Sequence, residues 1–432
     1  MADLRPTAAD SIYAAQAPLS YGYPSLGGHI EAEVAIVGGG YAGLATALGL
    51  AERGVKGVVL LEAERVGFGA SGRNGGFVFG GYSLGGEELV RRLGRERARA
   101  LYLATQHAVR LIRARIQRYT IACAANDAGV LCANWFRDPE VLRRRQRQLA
   151  EDFGIEWEWV EPDALREIVR SDRYHGALYE RDALHLDPLA FARGLAQAAT
   201  AQGVTLREAS RVLRLERSGG GFHLHTGGGR VAAPQVVLAT GGYLAGLDPQ
   251  ADRAVLPIAT YVMATEPLGG RLADCVRSAA AVYDTRFAFD YWRPLADTRL
   301  LWGGRISVRD RRPEDVRRLL YHDMLKVFPQ LEGSRVEYGW SGLMSYARHQ
   351  MPQIGGDGRG LWWAQAFGGH GLAPTTLAGE LLAAAISRDD DAWRLFEPFG
   401  LTSVQRPLGY LAAQARYAWL QHLDARKERR DA

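Results

Sequence analysis

The sequence predicts a mixed α/β fold, α+β overall, with one parallel and one antiparallel sheet. Three observations support this prediction. Between residues 33 and 64, two buried apolar runs flank a helical pattern, which is typical of parallel strands joined by a helix. Further apolar runs at 236–238 and 361–364 each lead into glycines. Strand-like segments then fill residues 256–344 around a helical stretch at about 313–328, and they indicate antiparallel pairing.

Residues 33–64 read EVAIVGGGYAGLATALGLAERGVKGVVLLEAE, with a G-x-G-x-x-G motif between strand and helix. The first glycine lets the chain turn sharply, the second admits a pyrophosphate, and the third lets the helix pack on the sheet. The helix N-terminus offers free N–H groups and a positive dipole end to phosphates. This order predicts a Rossmann-like dinucleotide-binding unit. Its expected cofactor-binding residues are Gly38, Gly40, Tyr41, Ala42 and Gly43.

The second strand of this unit ends at Glu62, which is followed by Ala63. An acid about 20 residues after the glycines accepts hydrogen bonds from a ribose. One alternative is a glycine-rich turn that binds nothing. Another is an NAD(P)-dependent dehydrogenase, in which Glu62 would favour NAD over NADP.

A second glycine-rich segment, GFGASGRNGGFVFGG, covers residues 67–81. Dense glycine is typical of a backbone that comes very close to another group. A flavin dinucleotide needs such a segment along its phosphates and ring. Ser71 and Asn74 are expected to donate hydrogen bonds, Arg73 to pair with charge, and Gly75 and Gly76 to let the backbone touch a flat ring.

The motifs VGGGYAGL and LEAERVGFGASGRNGG resemble the FAD-dependent family of D-amino-acid oxidase, glycine oxidase and sarcosine oxidase. Within this family the chain is most similar to the gamma-glutamylputrescine oxidoreductase branch. The similarity runs from SIYAAQA through SDRYHGALYERDALHLDPLAFARGLA, DYWRPLADTRLLWGG, FPQLEG and RHQMPQIGG to AFGGHGLAPTTLAGELLAAAI. The resemblance implies an FAD-binding domain of the glutathione-reductase type, interleaved with an antiparallel-sheet substrate domain. The expected segments are 30–86, 185–255 and 345–390 for FAD, 87–184 and 256–344 for substrate, and 391–432 as a C-terminal helical extension.

The resemblance also implies later cofactor contacts. Val212 would reach the adenine side through its backbone, and Thr240 and Gly241 would close over the cofactor after their strand. A glycine-rich segment before a helix would lie at the flavin N1/C2 edge, where the positive helix end stabilises negative charge. That segment comprises Gly368, Gly369, His370, Gly371 and Leu372. Relatives that attach flavin covalently use a His where this chain has Arg73, or a late Cys. Because residues 340–376 contain no Cys, non-covalent FAD is expected.

The implied reaction is oxidation of an amine C–N bond, with hydride transfer to flavin and hydrolysis of the imine. His370 is a candidate catalytic group, although its ring could equally pack against a neighbour. Tyr291, Trp292 and Trp340 are candidates for the substrate wall, with a plain core role as the alternative for each. The electron acceptor is expected to be O2 or another carrier.

Met344 stands where relatives acting on glycine or D-amino acids carry an Arg that clamps the α-carboxylate. A thioether cannot make that bidentate contact. The expected substrate is therefore a small amine with a distant carboxylate, as in gamma-glutamylputrescine. Arg293, Arg305 and Arg348 are candidates for that carboxylate, or else structural ion-pair residues. A glycine, D-amino-acid or sarcosine oxidase, an enzyme acting on modified tRNA, and a non-catalytic flavin protein stay open as alternatives.

Composition sets further bounds. The 432 residues carry a net charge of +5 and three cysteines without a Cys/His cluster, so no metal site or disulfide framework is expected. The basic run RRRQR at 143–147 reads as a solvated helix face rather than a nucleic-acid patch. The final ARKERRDA is expected to fray. No signal segment or membrane span is expected, and the predicted location is cytoplasmic.

Overall fold

The computed structural model describes residues 11–17, 22–244, 246–308, 310–388 and 390–431, which form twenty strands and twelve α-helices. The strands are, in chain order, β1 (Gly28–Glu31), β2 (Val34–Val37), β3 (Val58–Leu61), β4 (Phe77–Val78), β5 (Val130–Ala133), β6 (Glu158–Val160), β7 (Ala177–Glu180), β8 (Leu184–His185), β9 (Thr205–Arg207), β10 (Arg214–Ser218), β11 (Gly221–His225), β12 (Gly229–Ala233), β13 (Gln235–Leu238), β14 (Leu256–Thr265), β15 (Ala281–Asp284), β16 (Tyr291–Pro294), β17 (Leu300–Ser307), β18 (Val336–Tyr346), β19 (Gln353–Gly356) and β20 (Leu361–Gln365). The helices are α1 (Ile12–Gln16), α2 (Tyr41–Glu52), α3 (Gly86–Leu93), α4 (Arg95–Arg118), α5 (Glu140–Gln148), α6 (Pro162–Ile168), α7 (Pro188–Ala201), α8 (Pro249–Arg253), α9 (Gly270–Ala273), α10 (Pro313–Val327), α11 (Leu372–Arg388) and α12 (Leu408–Asp431).

A six-stranded sheet in the order β19-β20-β13-β2-β3-β9 forms the nucleotide-binding layer. All its neighbours pair in parallel except β19, which runs antiparallel to β20. Every residue of β2 and β3 is buried, as expected for strands covered on both faces. The helices α2 and α11 pack closely against each other on one face of this sheet. A Cβ added at Gly379 of α11 would lie only 2.4 Å from Ala45 Cβ of α2.

A four-stranded sheet, β1-β12-β11-β10, covers the other face of this layer. Glycine-containing turns join β10 to β11 and β11 to β12. Gly219 and Gly220 take φ values of 57° and 87° in the first turn, which other residues rarely adopt. Phe222 and Leu224 of β11 share one apolar cluster with Val37 of β2, so the two sheets form a single core.

An eight-stranded sheet, β18-β14-β17-β16-β15-β5-β7-β6, forms the second half of the molecule. Its pairs are antiparallel except for β15 with β5. The helix α10 begins and ends within one residue of its predicted bounds, and its buried residues pack under the sheet beside Trp292 and Trp302. The α/β prediction with one parallel and one largely antiparallel sheet is therefore confirmed. The division into domains at the stated residues stays a prediction.

The C-terminal segment does not fray as expected. The helix α12 continues to Asp431, whose carboxylate accepts a 3.1 Å hydrogen bond from the Arg137 peptide N–H. Glu428 pairs with Arg173 at 2.7 Å, and Lys427 lies 4.4 Å from the ring centroid of Phe136. Tertiary contacts with the antiparallel half thus hold a sequence whose charge alone suggested a loose end. None of the helices in the described part of the chain combines the length and apolarity needed to cross a bilayer.

Candidate active site

The first glycine turn is shaped mainly by contacts within the protein. Gly38 has a φ of 112°, and a Cβ there would lie 2.6 Å from Ala239 O. A Cβ on Gly43 would lie 2.0 Å from Gly38 O, so this glycine lets α2 pack on the preceding turn. Gly40 differs, because its Cβ would meet a side chain, Ser71 Oγ, at 2.9 Å. Gly40 therefore lies where the two glycine-rich segments meet.

The N-terminus of α2 has the features of an anion-binding cradle. Its first N–H groups have no acceptor within the helix, and that of Tyr41 donates to Ser71 Oγ at 3.0 Å. The Tyr41 hydroxyl donates to Pro188 O at 2.8 Å, which fixes the helix start against α7. Ala42 is buried beside it. A small hydroxyl therefore lies at the positive end of a helix, a position suited to phosphate binding.

Glu62 closes the other side of this cradle. Its Oε2 accepts a 2.6 Å hydrogen bond from Gly39 N. Its Oε1 accepts a 2.8 Å bond from Glu64 N, which bridges the intervening Ala63. Burial raises the pKa of Glu62, against the lowering effect of these two N–H groups. Thr240 Oγ1 is buried without a hydrogen-bond partner among the described residues. This unpartnered hydroxyl beside the glycine turn, together with the Gly40 cradle, fits a bound dinucleotide.

The second glycine-rich segment is held by bonds from three other elements. Trp340 Nε1 donates to Arg73 O at 2.9 Å, Tyr13 OH to Asn74 O at 3.0 Å, and Arg293 Nε to Gly75 O at 2.7 Å. Within the segment, Asn74 Oδ1 accepts from Gly76 N at 2.8 Å. The Arg73 side chain turns back and donates to Phe68 O at 2.8 Å. These bonds fix the shape of the segment's backbone.

Five aromatic rings lie beside this segment, and each contacts the next in a closed ring of contacts. We call these five side chains the aromatic circuit. Its members are Phe77, Phe79, Tyr283, Phe289 and Tyr291, with neighbouring centroids 5.4 to 6.4 Å apart. The Tyr291 ring lies between two glycines, since a Cβ would approach it to 2.4 Å from Gly75 and 2.1 Å from Gly303. All except Tyr283 keep partial exposure. The circuit provides an apolar wall of the kind that small-molecule sites use.

The late glycine segment contacts this wall through His370. The His370 ring lies edge-on to Phe79, 4.9 Å between centroids. Burial, with a smaller effect of Arg145, lowers the pKa of His370 to about 4, so the imidazole is neutral near pH 7. Gly368 N donates to Ser345 O at 2.8 Å, and Gly369 N to Ser83 Oγ at 3.0 Å. Gly371 O then accepts from Thr375 N at 2.9 Å as α11 begins at Leu372.

One face of β18 connects the two glycine segments. Successive side chains of a strand point to opposite faces, so Trp340, Gly342, Met344 and Tyr346 share a face. A Cβ on Gly342 would lie 3.3 Å from Arg73 Cβ. A Cβ added at Gly369 would lie 3.8 Å from Met344 Sδ and 3.2 Å from Tyr346 OH. The thioether therefore faces the late glycine segment.

The remaining candidates lie elsewhere. Trp292 is buried on the opposite face from Tyr291, stacks on Trp302 at 6.3 Å, and donates to Tyr174 OH at 3.1 Å, which favours its core alternative. Arg293 donates to Leu186 O at 2.9 Å as well as to Gly75 O. Arg305 makes a two-pronged ion pair with Asp323 at 2.7 Å, and Arg348 is exposed. Arg293 therefore binds backbone carbonyl groups of the protein, and Arg305 binds a carboxylate of the protein. Val212 and Gly241 flank the parallel sheet, after β9 and β13.

Sequence reasoning missed Arg145 by treating the basic run as one solvated face. Arg144 and Arg147 are exposed, but Arg145 turns inward and donates to Tyr283 OH at 3.0 Å. The signal was present in the spacing. Leu142 and Leu149, three residues before and four after Arg145, are both buried, and a helix presents such positions on one face.

Comparisons with known proteins agree with this architecture. The family model described as "DAO: FAD dependent oxidoreductase" matches residues 33–385. Gamma-glutamylputrescine oxidoreductase of Escherichia coli is 35% identical over 388 residues, which cover 89% of this chain and 91% of the relative. Glycine oxidase of Geobacillus kaustophilus is 27% identical over 384 residues, 86% of this chain and 96% of the relative. The crystal structure of glycine oxidase from that organism aligns with a TM-score of 0.71 at 24% identity, covering 86% of this chain and 99% of the other.

Proposed function

The chain belongs to the DAO family of FAD-dependent oxidoreductases, and we propose that it oxidises the C–N bond of an amine whose carboxylate lies several bonds from the oxidised carbon. Gamma-glutamylputrescine is an example of this substrate class, and the similarity to the Escherichia coli enzyme of that name supports it. The expected product is an imine that water hydrolyses to an aldehyde. A cytoplasmic location remains part of the proposal.

The observation that carries the proposal is the position of Met344. Its thioether lies on the face of β18 that runs from Arg73 to the late glycine segment, 3.8 Å from a Cβ on Gly369. An arginine at this position would meet a carboxylate on the carbon being oxidised, through a planar pair of N–H groups. Methionine offers no hydrogen-bond donor and favours an apolar substituent instead. An amine whose carboxylate is remote suits such a site.

FAD would be held by the residues of the α2 cradle, by Glu62 and by the two later glycine segments, and when bound it supplies the two-electron oxidant. The protein's own residues orient the amine and exclude water. The aromatic circuit gives the carbon chain an apolar surface and disfavours a charged ammonium, because desolvation lowers the pKa of an amine. His370, neutral near pH 7, adds no positive charge beside the amine. The N-terminus of α11 stabilises negative charge that gathers near it.

The proposal is tested with purified holoenzyme and a substrate panel. Gamma-glutamylated diamines, free diamines, sarcosine, glycine and several D-amino acids are added anaerobically, and bleaching of the flavin absorbance is followed. Turnover with O2 and with an artificial acceptor then gives kcat/KM for each. We expect the γ-glutamylated diamines to have the highest kcat/KM. The highest value for glycine or a D-amino acid would overturn the proposal.

A further inference from the structure

Arg145 is a partly enclosed cation at the edge of the aromatic circuit. It projects from α5, crosses the Trp157 ring at 4.9 Å from the centroid, and donates from Nη2 to Tyr283 OH at 3.0 Å. Its Nη1 lies 3.5 Å from Cys132 Sγ. Guanidinium groups are well suited to planar, two-pronged contacts with carboxylates, yet these partners are a phenol, a thiol and an indole.

The contrast with neighbouring arginines is informative. Arg143 pairs with Glu161 at 3.7 Å, and Arg147 with Glu140 at 2.7 Å. Arg145 has no carboxylate within 4.0 Å among the described residues. An inward-facing guanidinium without a close carboxylate can accept an anionic ligand, because its desolvation is not offset by a salt bridge within the protein.

Glu180 is the complementary group. It is buried in β7, and its Oε1 accepts a 3.3 Å hydrogen bond from Gln106 Nε2. Its Oε2 is buried with no hydrogen-bond partner in the described part of the chain. Burial raises the pKa of Glu180 to about 7, against the lowering effects of the Gln106 amide, the Gly80 peptide N–H and Arg145. A cationic partner beside a buried carboxyl favours its ionised form and offsets the cost of its desolvation.

Each group is linked through one side chain to the Phe79-Gly80 stretch, Arg145 to Phe79 and Glu180 to Gly80. Arg145 bonds Tyr283, whose ring stacks on Phe79 with an interplanar angle of 12°. Glu180 bonds Gln106, whose Nε2 lies 2.4 Å from where a Cβ on Gly80, the next residue after Phe79, would be. Phe79 also meets His370 edge-on. Cys132 of β5, which Arg145 contacts, and Glu180 of β7 lie on one face of the sheet, because Cys132 is paired with Leu178 and Val130 with Glu180. Arg145 and Glu180 therefore lie on the same side of these two strands.

We propose that Arg145 and Glu180 together bind an amino-acid head group at the far end of the substrate, Arg145 taking the α-carboxylate and Glu180 the α-ammonium. The inference rests on the proposed function, since it requires an amine whose head group is remote from the oxidised carbon. It makes this pair specificity-determining and leaves the oxidation itself to the other end of the site. A γ-glutamyl group carries both charges on one carbon and matches the pair.

The test uses four N-acylated putrescines of similar length with the holoenzyme. The γ-glutamyl compound has both charges, the glutaryl compound only the carboxylate, the 4-aminobutanoyl compound only the ammonium, and the butanoyl compound neither. We expect Arg145→Met to lower kcat/KM about 100-fold, selectively for the two carboxylate-bearing compounds. Glu180→Gln is expected to lower it about 10-fold, selectively for the two ammonium-bearing compounds. The matched control is Arg144→Met, one residue away and exposed, with all four values within about twofold of wild type.

Flavin content and melting temperature are measured for each variant. Arg145→Lys retains the charge without the forked geometry, and it is expected to show a smaller loss with the same selectivity. A uniform loss over all four compounds, or no loss, would overturn the inference while leaving amine oxidation intact. A wild-type enzyme inactive with all four but active with glycine or a D-amino acid would overturn the proposed function, and the inference with it.

Discussion

The Tyr291 ring lies directly on the backbone of Gly75: a Cβ at that glycine would be 2.4 Å from Tyr291 Cε2. Because real Cβ atoms do not approach this closely, any side chain at position 75 displaces the ring or the segment. Arg293 fixes the same residue from the other direction by its 2.7 Å bond to Gly75 O. The second glycine-rich segment and the aromatic circuit are therefore mutually dependent in shape.

We predict that Gly40→Val and Gly75→Val each yield colourless protein. At position 40 the new side chain would meet Ser71 Oγ at the helix start, and at position 75 it would meet Tyr291. Visible absorbance of the purified protein gives the flavin content. The control is Gly27→Ala, where a Cβ would have no heavy atom within 4 Å, and it should purify yellow. Full flavin content in both valine variants would show that the cofactor lies elsewhere.

We predict that the FAD is bound without a covalent link. Arg73, at the position where some relatives carry the attached His, is held by Phe68 O, and the described cysteines Cys123, Cys132 and Cys275 are all buried. Acid precipitation of the yellow protein should leave the colour in the supernatant. Flavin that stays with the washed pellet would contradict this prediction.

The parts of the fold that the sequence predicted best are those coded locally. A run of four apolar residues predicted β2, and the glycines and helical pattern after it predicted α2, because the sequence signals of both elements come from residues close together in the chain. The helix α10 was predicted for the same reason. The charge of the final ARKERRDA predicted a frayed end, because the partners that hold this segment, Arg137, Arg173 and Phe136, are remote in sequence.

The site was harder to predict because its walls come from distant segments. Phe77 belongs to β4 and Phe79 follows it directly, whereas Tyr283 and Tyr291 belong to β15 and β16. Adjacent strand residues point to opposite faces, so the pair Tyr291-Trp292 was certain to place one ring in each layer. Composition gave no means of choosing which. Only the pairing of β16 with β17 does so, by setting Trp292 opposite Trp302 in the core.

We predict that Asp323→Asn lowers the free energy of unfolding by about 3 kcal/mol at neutral pH, since it leaves Arg305 without its buried partner. Burial alone would raise the pKa of Asp323, but Arg305 and, to a smaller extent, Lys326 lower it below its usual value. The ionised Asp323 therefore contributes fully to the free energy of unfolding above the pKa that it has in the unfolded chain. This contribution is lost as the pH falls through the lower pKa that Asp323 has in the folded protein. Asp163→Asn, in an exposed pair with Arg166, is the control and should change stability by less than about 1 kcal/mol. Denaturant unfolding measures both. Equal effects would show that the Arg305 pair adds nothing special.

We predict an acid-sensitive contribution to stability from His185. Its Nε2–H donates to Ala279 O at 2.8 Å, and burial, aided by Arg293, lowers the His185 pKa from 6.5 to about 4. The unfolded chain binds this proton first, so stability is full above about pH 6.5 and declines toward pH 4, by about 3 kcal/mol. His185→Gln, whose amide can donate to the same carbonyl, should flatten this part of the stability curve. The exposed His107→Gln should not. A slope unchanged by His185→Gln would disprove the assignment.

We predict that Met344→Arg shifts the substrate preference toward α-amino acids. The new guanidinium would extend from the face of β18 that Met344 Sδ now occupies beside Gly369, where it could pair with a carboxylate on the oxidised carbon. We expect kcat/KM for glycine or D-alanine to rise at least about 10-fold, and kcat/KM for the γ-glutamylated diamine to fall, because its apolar chain would meet a charge. Met344→Leu, which keeps the volume and adds no donor, is the matched control and should retain the wild-type preference. A Met344→Arg protein with full flavin content and an unchanged order of kcat/KM values would show that position 344 does not select the substrate, and the reason for expecting a remote carboxylate would be lost.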